Sequence, residues 1–351
     1  MYNIGVLGFA HGHVMSYAPQ WALHPEWGVQ VVAGWDHDAA RAEDKCQTLQ
    51  ATAYPTVEAL LASGVDGVII SSETVYHAEL VERAAAAGKD ILCYKPLALT
   101  MAEADRIVHA VEQHGVRFSM GWQMRTDPQN EKIKELIDSG ELGRVFQFRR
   151  RHCLGTHLWG DFASTWHNQK ELNRDIFADD SAHAINWMQH LFGMPQEVIA
   201  RITTAHNPAV PNDNGVAVFS YPNGMLAEIS CNFACSAAEI TTEVYLEKGA
   251  IAQYFGDGPA TRLPRVPGMP GLKWFKEGDA DWTDSGIPSP KAHGERIVAQ
   301  AQPIADFFTG RRGTLCSAQE GRDTLRLVLA CYLSEREGAR VSVYDDRVYE
   351  F

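Results

Sequence analysis

The chain has 351 residues, 45% of them hydrophobic, and a formal charge of −13 at pH 7. Such a length supports two moderate cores better than one, and the acidic balance excludes a nucleic-acid-binding surface, which needs clustered Lys and Arg against phosphates. Seven cysteines without a Cys-x-x-Cys pair point to free thiols in a reducing cytoplasm.

The N-terminus opens directly into Ile4-Gly5-Val6-Leu7-Gly8, without the basic and long apolar segments of a leader. No apolar stretch approaches the roughly 20 residues that span a bilayer, so the expectation is a soluble cytoplasmic protein with no membrane partner. From Asn3 to about Gly121 short apolar runs alternate with helical patterns. The strand candidates are Ile4–Leu7, Val29–Trp35, Gly67–Ile70, Ile91–Tyr94 and Val116–Met120. Strands alternating with helices predict a doubly wound parallel sheet covered on both faces.

The first strand leads into Gly8, Phe9, Ala10, His11, Gly12 and His13, then a helix. This follows the dinucleotide fingerprint G-x-G/A-x-x-G loosely, with Ala10 at the second glycine position and His13 at the third. Gly12 is expected to supply some of the lost backbone freedom. Small residues let the main chain approach a pyrophosphate, which then rests on the helix N-terminus. A tight turn without a ligand would use the same residues. What separates the two is Asp36, at the end of the second strand and roughly 20 residues past the glycines, where an acid accepts the adenosine ribose hydroxyls. Asp36 repels a 2′-phosphate, Asp38 follows, and no arginine stands near until Arg41, so NAD is favoured over NADP. His37 keeps NADP open.

Ile91-Leu92-Cys93-Tyr94-Lys95-Pro96 reads as a buried strand ending in a stiff turn that carries one lysine, since Pro96 stops the strand. Lys95 thus lies just past the carboxyl end of a strand, where ligands sit in open α/β sheets.

With Gly8 to His13, Asp36, His77 and Cys93-Tyr94-Lys95-Pro96, the chain resembles the Gfo/Idh/MocA oxidoreductases, the relatives of glucose–fructose oxidoreductase and inositol dehydrogenase. Ile69 through His77 resembles the family's "iatPN..H", Ala87 through Thr100 its "aGkhVlcEKPla.t", and Ile176 through Asn186 its "GG...D...H..D". Three departures stand out. Tyr94 replaces the motif glutamate, Glu73-Thr74 replace Pro-Asn, and Asn186 replaces an acid. The resemblance implies residues 1–124 as an NAD(P)-binding Rossmann domain and 125–351 as an α+β domain for substrate binding and oligomerisation. It implies a cofactor site of Gly8 to His13, Asp36, His37, Ser71, Ser72, Glu73, His77, Tyr94, Lys95 and Gln123, with Trp122 and Arg125 towards the substrate.

Past Arg125 the character changes. A helix near Asn130–Ser139 precedes sheet-like runs at Val145–His152, Val216–Tyr221, Met225–Asn232 and Ile240–Glu247, with a hairpin signal at Pro222-Asn223-Gly224. Helices return near Glu295–Phe308 and Ala318–Glu337. This is α+β with a largely antiparallel sheet, one face packed by helices and the other, as in such proteins, a subunit interface, so a homodimer or homotetramer is expected. Arg149-Arg150-Arg151 sits on a strand, where neighbours leave on opposite faces.

Asp179 and His183 stand four apart in a helical pattern, which puts both on one face. A carboxylate there orients the imidazole as a base, and His183 matches the family's catalytic position. The histidines 152, 157, 167 and 190 match no zinc spacing, so no metal is expected. Trp159, Trp166 and His167 form an aromatic, polar segment suited either to a sugar or to an interface. Gly256 to Gly294, rich in Gly and Pro, reads as an irregular binding loop, oligomer arm or disordered stretch.

The resulting expectation is an NAD(P)-dependent dehydrogenase or reductase acting on a secondary hydroxyl or ketone of a sugar, inositol or related polyol. Lys95 and His183 share the roles of alkoxide stabiliser and base across one nicotinamide site. The alternatives are an NAD-dependent glycosidase working through transient 3-keto oxidation and elimination, and a non-catalytic dinucleotide and sugar sensor.

Overall fold

The computed structural model describes residues 1–236, 240–254, 268–291 and 294–351. The chain divides into two compact units. The first comprises Met1–Gln123, Glu171–Asn173 and Ile297–Leu325, and the second Met124–Lys170, Arg174–Arg296 and Arg326–Phe351.

The first unit is built on six strands: β1 (Tyr2–Leu7), β2 (Val29–Trp35), β3 (Thr52–Ala53), β4 (Gly67–Ile70), β5 (Asp90–Cys93) and β6 (Phe118–Met120). They are all parallel, in the order β3-β2-β1-β4-β5-β6. The chain runs outwards from β1 to β3, then crosses back to β4 beside β1. That reversal leaves a crevice at the carboxyl ends of β1 and β4, where doubly wound sheets take their ligands. The central strands read as unbroken apolar runs because helices cover both faces, and Val68, Ile69, Ile70, Ile91, Leu92 and Cys93 are all fully buried. Helix α1 (His13–Leu23) buries Val14, Tyr17, Ala18 and Trp21, a stripe of helical spacing. The helices α2 (Ala39–Leu49), α3 (Val57–Leu61), α4 (His77–Ala86) and α5 (Met101–His114) complete the alternation. A capping box of Thr100 and Glu103 starts α5, and Gly115 in the left-handed region ends it. The later helix Ala301–Phe308 rejoins this core, its Ala301 carbonyl accepting from Trp21 Nε1 at 2.8 Å.

The second unit opens with α6 (Pro128–Asp138), capped by Asp127. Among the described residues its sheet has nine strands: β7 (Val145–Cys153), β8 (Glu197–Thr203), β9 (Asn214–Ser220), β10 (Leu226–Asn232), β11 (Thr241–Leu246), β12 (Gly249–Gln253), β13 (Leu272–Lys276), β14 (Thr283–Asp284) and β15 (Val341–Ser342). Among the described residues β7 and β10 pair in parallel, and every other pair is antiparallel. Gly224, at φ +85°, makes the expected turn between β9 and β10. Alternation on β7 separates the three arginines. Arg149 faces outwards to Glu228 and Glu243, while Arg150 is buried and donates to Thr242 Oγ1 at 2.8 Å.

The stretch expected to be irregular differs. Within it, β13 and β14 extend the sheet, held by Leu272 underneath and by Lys273 over the Trp282 ring at 4.6 Å. Surrounding Gly and Pro hid so short an edge pair. Within that stretch, 256–267 and 292–293 lie outside the described residues. No helix among the described residues is long and apolar enough to cross a membrane.

The loop from β8 to β9 folds over one buried carboxylate. Asp213 accepts from the backbone N–H groups of Ala205, His206 and Asn207 at 2.6, 2.9 and 3.0 Å. Asp213→Ala strands three donors and is expected to cost about 2–4 kcal/mol. Urea unfolding should show a lower midpoint with an unchanged slope.

Candidate active site

In the first unit the predicted cofactor residues gather at the carboxyl ends of β1, β2, β4 and β5. Gly8 sits at φ +85°, and a Cβ there would lie 2.5 Å from Ser72 Cα. No other residue lets the two loops meet. Around that contact His11 N donates to Ser71 O at 2.9 Å, Ser71 N to Leu7 O at 3.0 Å, and Ser71 Oγ to His11 O at 2.8 Å. Gly12, by contrast, has φ −65° as the N-cap of α1, and a Cβ on it would meet nothing. The backbone freedom expected of Gly12 is not used. The first turn of α1, beginning at His13, carries no acid and no side-chain cap, leaving amide donors as a pyrophosphate needs them. Ala10 and Phe9 lie between, and Phe9 N donates to Asp36 Oδ2 at 2.7 Å. These features fit a dinucleotide.

Asp36 is buried at the end of β2, and the expectation that no arginine bears on it fails. Helix α2 begins directly after Asp38, and its first turn brings Arg41 back across the acid. Arg41 Nε and Nη2 fork onto the two Asp36 oxygens at 2.7 Å each, and Nη2 also meets Glu73 Oε1 at 3.0 Å. His37, half exposed and tilted against Tyr76, lies 3.4 Å from Asp36 and 3.6 Å from Glu73. Sequence reading had no reason to rank Arg41, since its side chain acts backwards across a helix start. Ser72, buried beside Glu73, donates its hydroxyl to the Glu73 carbonyl at 3.1 Å.

His77 turns out to hold the backbone. It is fully buried, with Nδ1 at 2.9 Å from Pro96 O and 3.3 Å from Leu97 O, and Nε2 at 3.3 Å from Ser72 O. A neutral ring donates from one nitrogen, and the shorter contacts assign the proton to Nδ1. The ring thereby bonds to the turn that carries Lys95, itself 3% exposed, and packs against the turn after β4. Tyr94, where the family motif has glutamate, stacks on His11 at 4.7 Å and 21°, packs against Tyr17 at 6.2 Å, and lies over Gly121. Burial first, and then the neighbouring Tyr17, pushes its phenol far above the ordinary range. Position 94 therefore contributes no negative charge. Trp122 and Gln123 follow β6 and are buried.

In the second unit His183 and Asp179 are buried, but the helix bearing them does not start as an α-helix. Phe177–Ser181 forms a π-turn, and α7 (Ala182–Phe192) follows. Asp180 also stands near the ring, with Oδ1 3.7 Å from His183 Nε2. His152 of β7 stacks on the other side, ring centroids 6.0 Å apart. Neither had been singled out for this role. The parity of His152 on an alternating strand was the available signal. Arg125 is buried and donates through Nε to Asn186 Oδ1 at 2.9 Å, so the amide that replaces the motif acid serves as an acceptor. Trp159, Trp166 and His167 lie in a run of short turns. Trp166 stacks on His167 at 4.0 Å, and Trp159 meets Phe162 edge-on. Among the described residues no cluster of His, Cys, Asp or Glu is arranged for a metal ion.

Burial lowers the His77 pKa. The unfolded chain therefore binds a proton near pH 6.5 that the folded chain refuses, and stability falls as pH drops through that value. His77→Gln should flatten the dependence of unfolding free energy on pH between about 6.5 and 5, a slope of up to about 1.4 kcal/mol per unit in the parent.

Comparison with known proteins places both halves. Residues 2–122 match the model of the oxidoreductase family with NAD-binding Rossmann fold, and 130–252 match the GFO/IDH/MocA C-terminal domain. D-apiose dehydrogenase of Paraburkholderia graminis is 25% identical over 90% of this chain and 84% of its own length. The uncharacterized oxidoreductase YrbE of Bacillus subtilis is 28% identical over 54% of this chain, which spans 55% of that relative's length. Inositol 2-dehydrogenase of Salmonella typhimurium is 35% identical over 36% of this chain and 38% of its own. Among solved structures, levoglucosan dehydrogenase in complex with NADH and levoglucosan shares the fold, with TM-score 0.82, 19% identity, and 98% and 100% of the two chains covered. The chain belongs to the GFO/IDH/MocA oxidoreductase family, with an NAD-binding Rossmann fold followed by the family's C-terminal domain.

Proposed function

We propose that the protein is an NAD-dependent dehydrogenase, or a reductase in the reverse direction, acting on a secondary hydroxyl or ketone of a sugar, inositol or related polyol. It works in the cytoplasm as a homodimer or homotetramer. The observation that carries this reading is Lys95, a buried amine set by the His77 contacts at the carboxyl end of β5. The relatives named for apiose, inositol and levoglucosan all take polyhydroxylated compounds, which supports the substrate class.

When bound, NAD supplies the hydride acceptor. The substrate's hydroxyl proton must leave as the C–H bond breaks and the carbonyl forms. His183 takes that proton at Nδ1, its Nε2 being turned towards Asp180 at 3.7 Å, and the carboxylate favours the imidazolium as it forms. Lys95 donates to the oxygen, stabilising its developing negative charge.

Screening sugars and inositols by absorbance of reduced nicotinamide should reveal a substrate that yields net NADH. Lack of net NADH alongside released aglycone would instead indicate the glycosidase reading. On that substrate Lys95→Ala and His183→Ala should each lower kcat about 10²–10⁴-fold. The double variant should fall little further, since groups acting on one hydroxyl are not additive. Unaltered turnover in either single variant overturns the assignment.

A further inference from the structure

We infer that Glu73 sets the dinucleotide preference, as the alternative seat of the Arg41 guanidinium. The inference rests on the reading that Asp36 takes the adenosine ribose. A carboxylate has about four acceptor positions, and those of Asp36 are filled. Oδ1 accepts from Asp38 N at 2.9 Å and Arg41 Nη2 at 2.7 Å, and Oδ2 from Phe9 N and Arg41 Nε at 2.7 Å each. The two backbone donors belong to the turns themselves and stay. A ribose diol can reach Asp36 only if the guanidinium withdraws.

Glu73 makes that withdrawal inexpensive. Its Oε1 already holds Arg41 Nη2 at 3.0 Å, and the acid is 4% exposed. Arg41 can swing off Asp36 and remain paired, so neither charge is left buried alone. The same arrangement opposes a 2′-phosphate. Two carboxylates, Asp36 and Glu73, face one guanidinium, and the guanidinium that would fork onto the phosphate is retained by Glu73. His37, 3.6 Å from Glu73 Oε2, is held by the same acid. A ribose diol needs only an acceptor and is admitted. Glu73 occupies the place of the proline in the family's Pro-Asn motif, so this chain carries the device where the motif has no charge.

Binding to the full-length protein, freed of nucleotide, tests this through two probes that differ only in the phosphate: 5′-AMP and adenosine 2′,5′-bisphosphate, alongside NAD and NADP. The parent should prefer NAD and 5′-AMP. Glu73→Gln and Glu73→Ala should each shift the ratio of dissociation constants towards the bisphosphate by about tenfold or more, about one charge pair's worth. Adding Arg41→Gln should abolish the shift, and Arg41→Gln alone, which vacates two acceptor positions of Asp36 and removes the cation facing the two carboxylates, should tighten 5′-AMP and weaken the bisphosphate. Thermal melts establish that each variant is folded. An unchanged ratio in the folded Glu73 variants overturns the inference, as does a shift that survives loss of Arg41, or Arg41→Gln alone leaving both probes unaffected. If the parent binds neither NAD nor 5′-AMP, the dinucleotide reading itself fails and takes this inference with it. NAD binding with an unmoved ratio sinks the inference alone.

Discussion

The first unit depends on one close approach, that of the Gly8 main chain to Ser72. A single Cβ at Gly8 would overlap the Ser72 backbone, so β1 and β4 can end side by side only with glycine there. That contact carries further than the strand ends. Ser71 locks to His11 from one side, and from the other the turn continues through Ser72 to His77. His77 then fixes Pro96 and with it Lys95. The turn after β1 and the lysine turn are thus joined through main-chain hydrogen bonds around Gly8 and the buried side chains of Ser71 and His77.

Against that frame the departures from the family motif exchange charge between two places. The motif's glutamate at position 94 becomes a tyrosine that burial keeps neutral, while its proline at position 73 becomes a buried glutamate. Tyr94 replaces a polar bridge by aromatic contact, stacking on His11 and reaching towards Tyr17 on α1. Gly121, whose Cβ would press against the Tyr94 ring, leaves room for the larger side chain. The lysine turn therefore gains rigidity from packing and loses an adjacent acid. The turn after β4 gains an acid, paired with the Arg41 cation.

The order of strands and helices was legible because buried parallel strands read as apolar runs, and covering helices read as stripes of period near 3.6. Lys95 was legible for the same reason, because a proline after such a run fixes where the strand stops. Gly12 misled, since a glycine in a fingerprint is counted whether or not its φ requires it, and here Gly8 alone does. Arg41 was missed because sequence distance suggested separation, whereas a helix start folds five residues back onto the preceding acid. The strand β13 was missed because its pairing is with β12 and β14, and non-local partners leave little trace in a five-residue run.

The case of Asp180 shows a deeper limit. Spacing arguments assume that the helix is an α-helix, and Asp180 was passed over because it stands three residues, not four, before His183. A π-turn inserts extra chain into the turn, so each side chain before it rotates relative to those after it. Its cause is not written in the composition of Phe177–Ser181, which are unexceptional residues. It follows from what the turn must accommodate. Asp175 accepts from Ala178 N at 3.0 Å, Tyr332 Oη at 2.5 Å and Asn212 Nδ2 at 2.8 Å. Two of those partners lie far along the chain and pin the start of the turn, while Phe177 packs against Gly215 of β9. A helix clamped at its origin by a strand and a buried carboxylate reaches α7 in the register the clamps allow. Where Asp180 stands relative to His183 is thus set by tertiary contacts as well as by spacing.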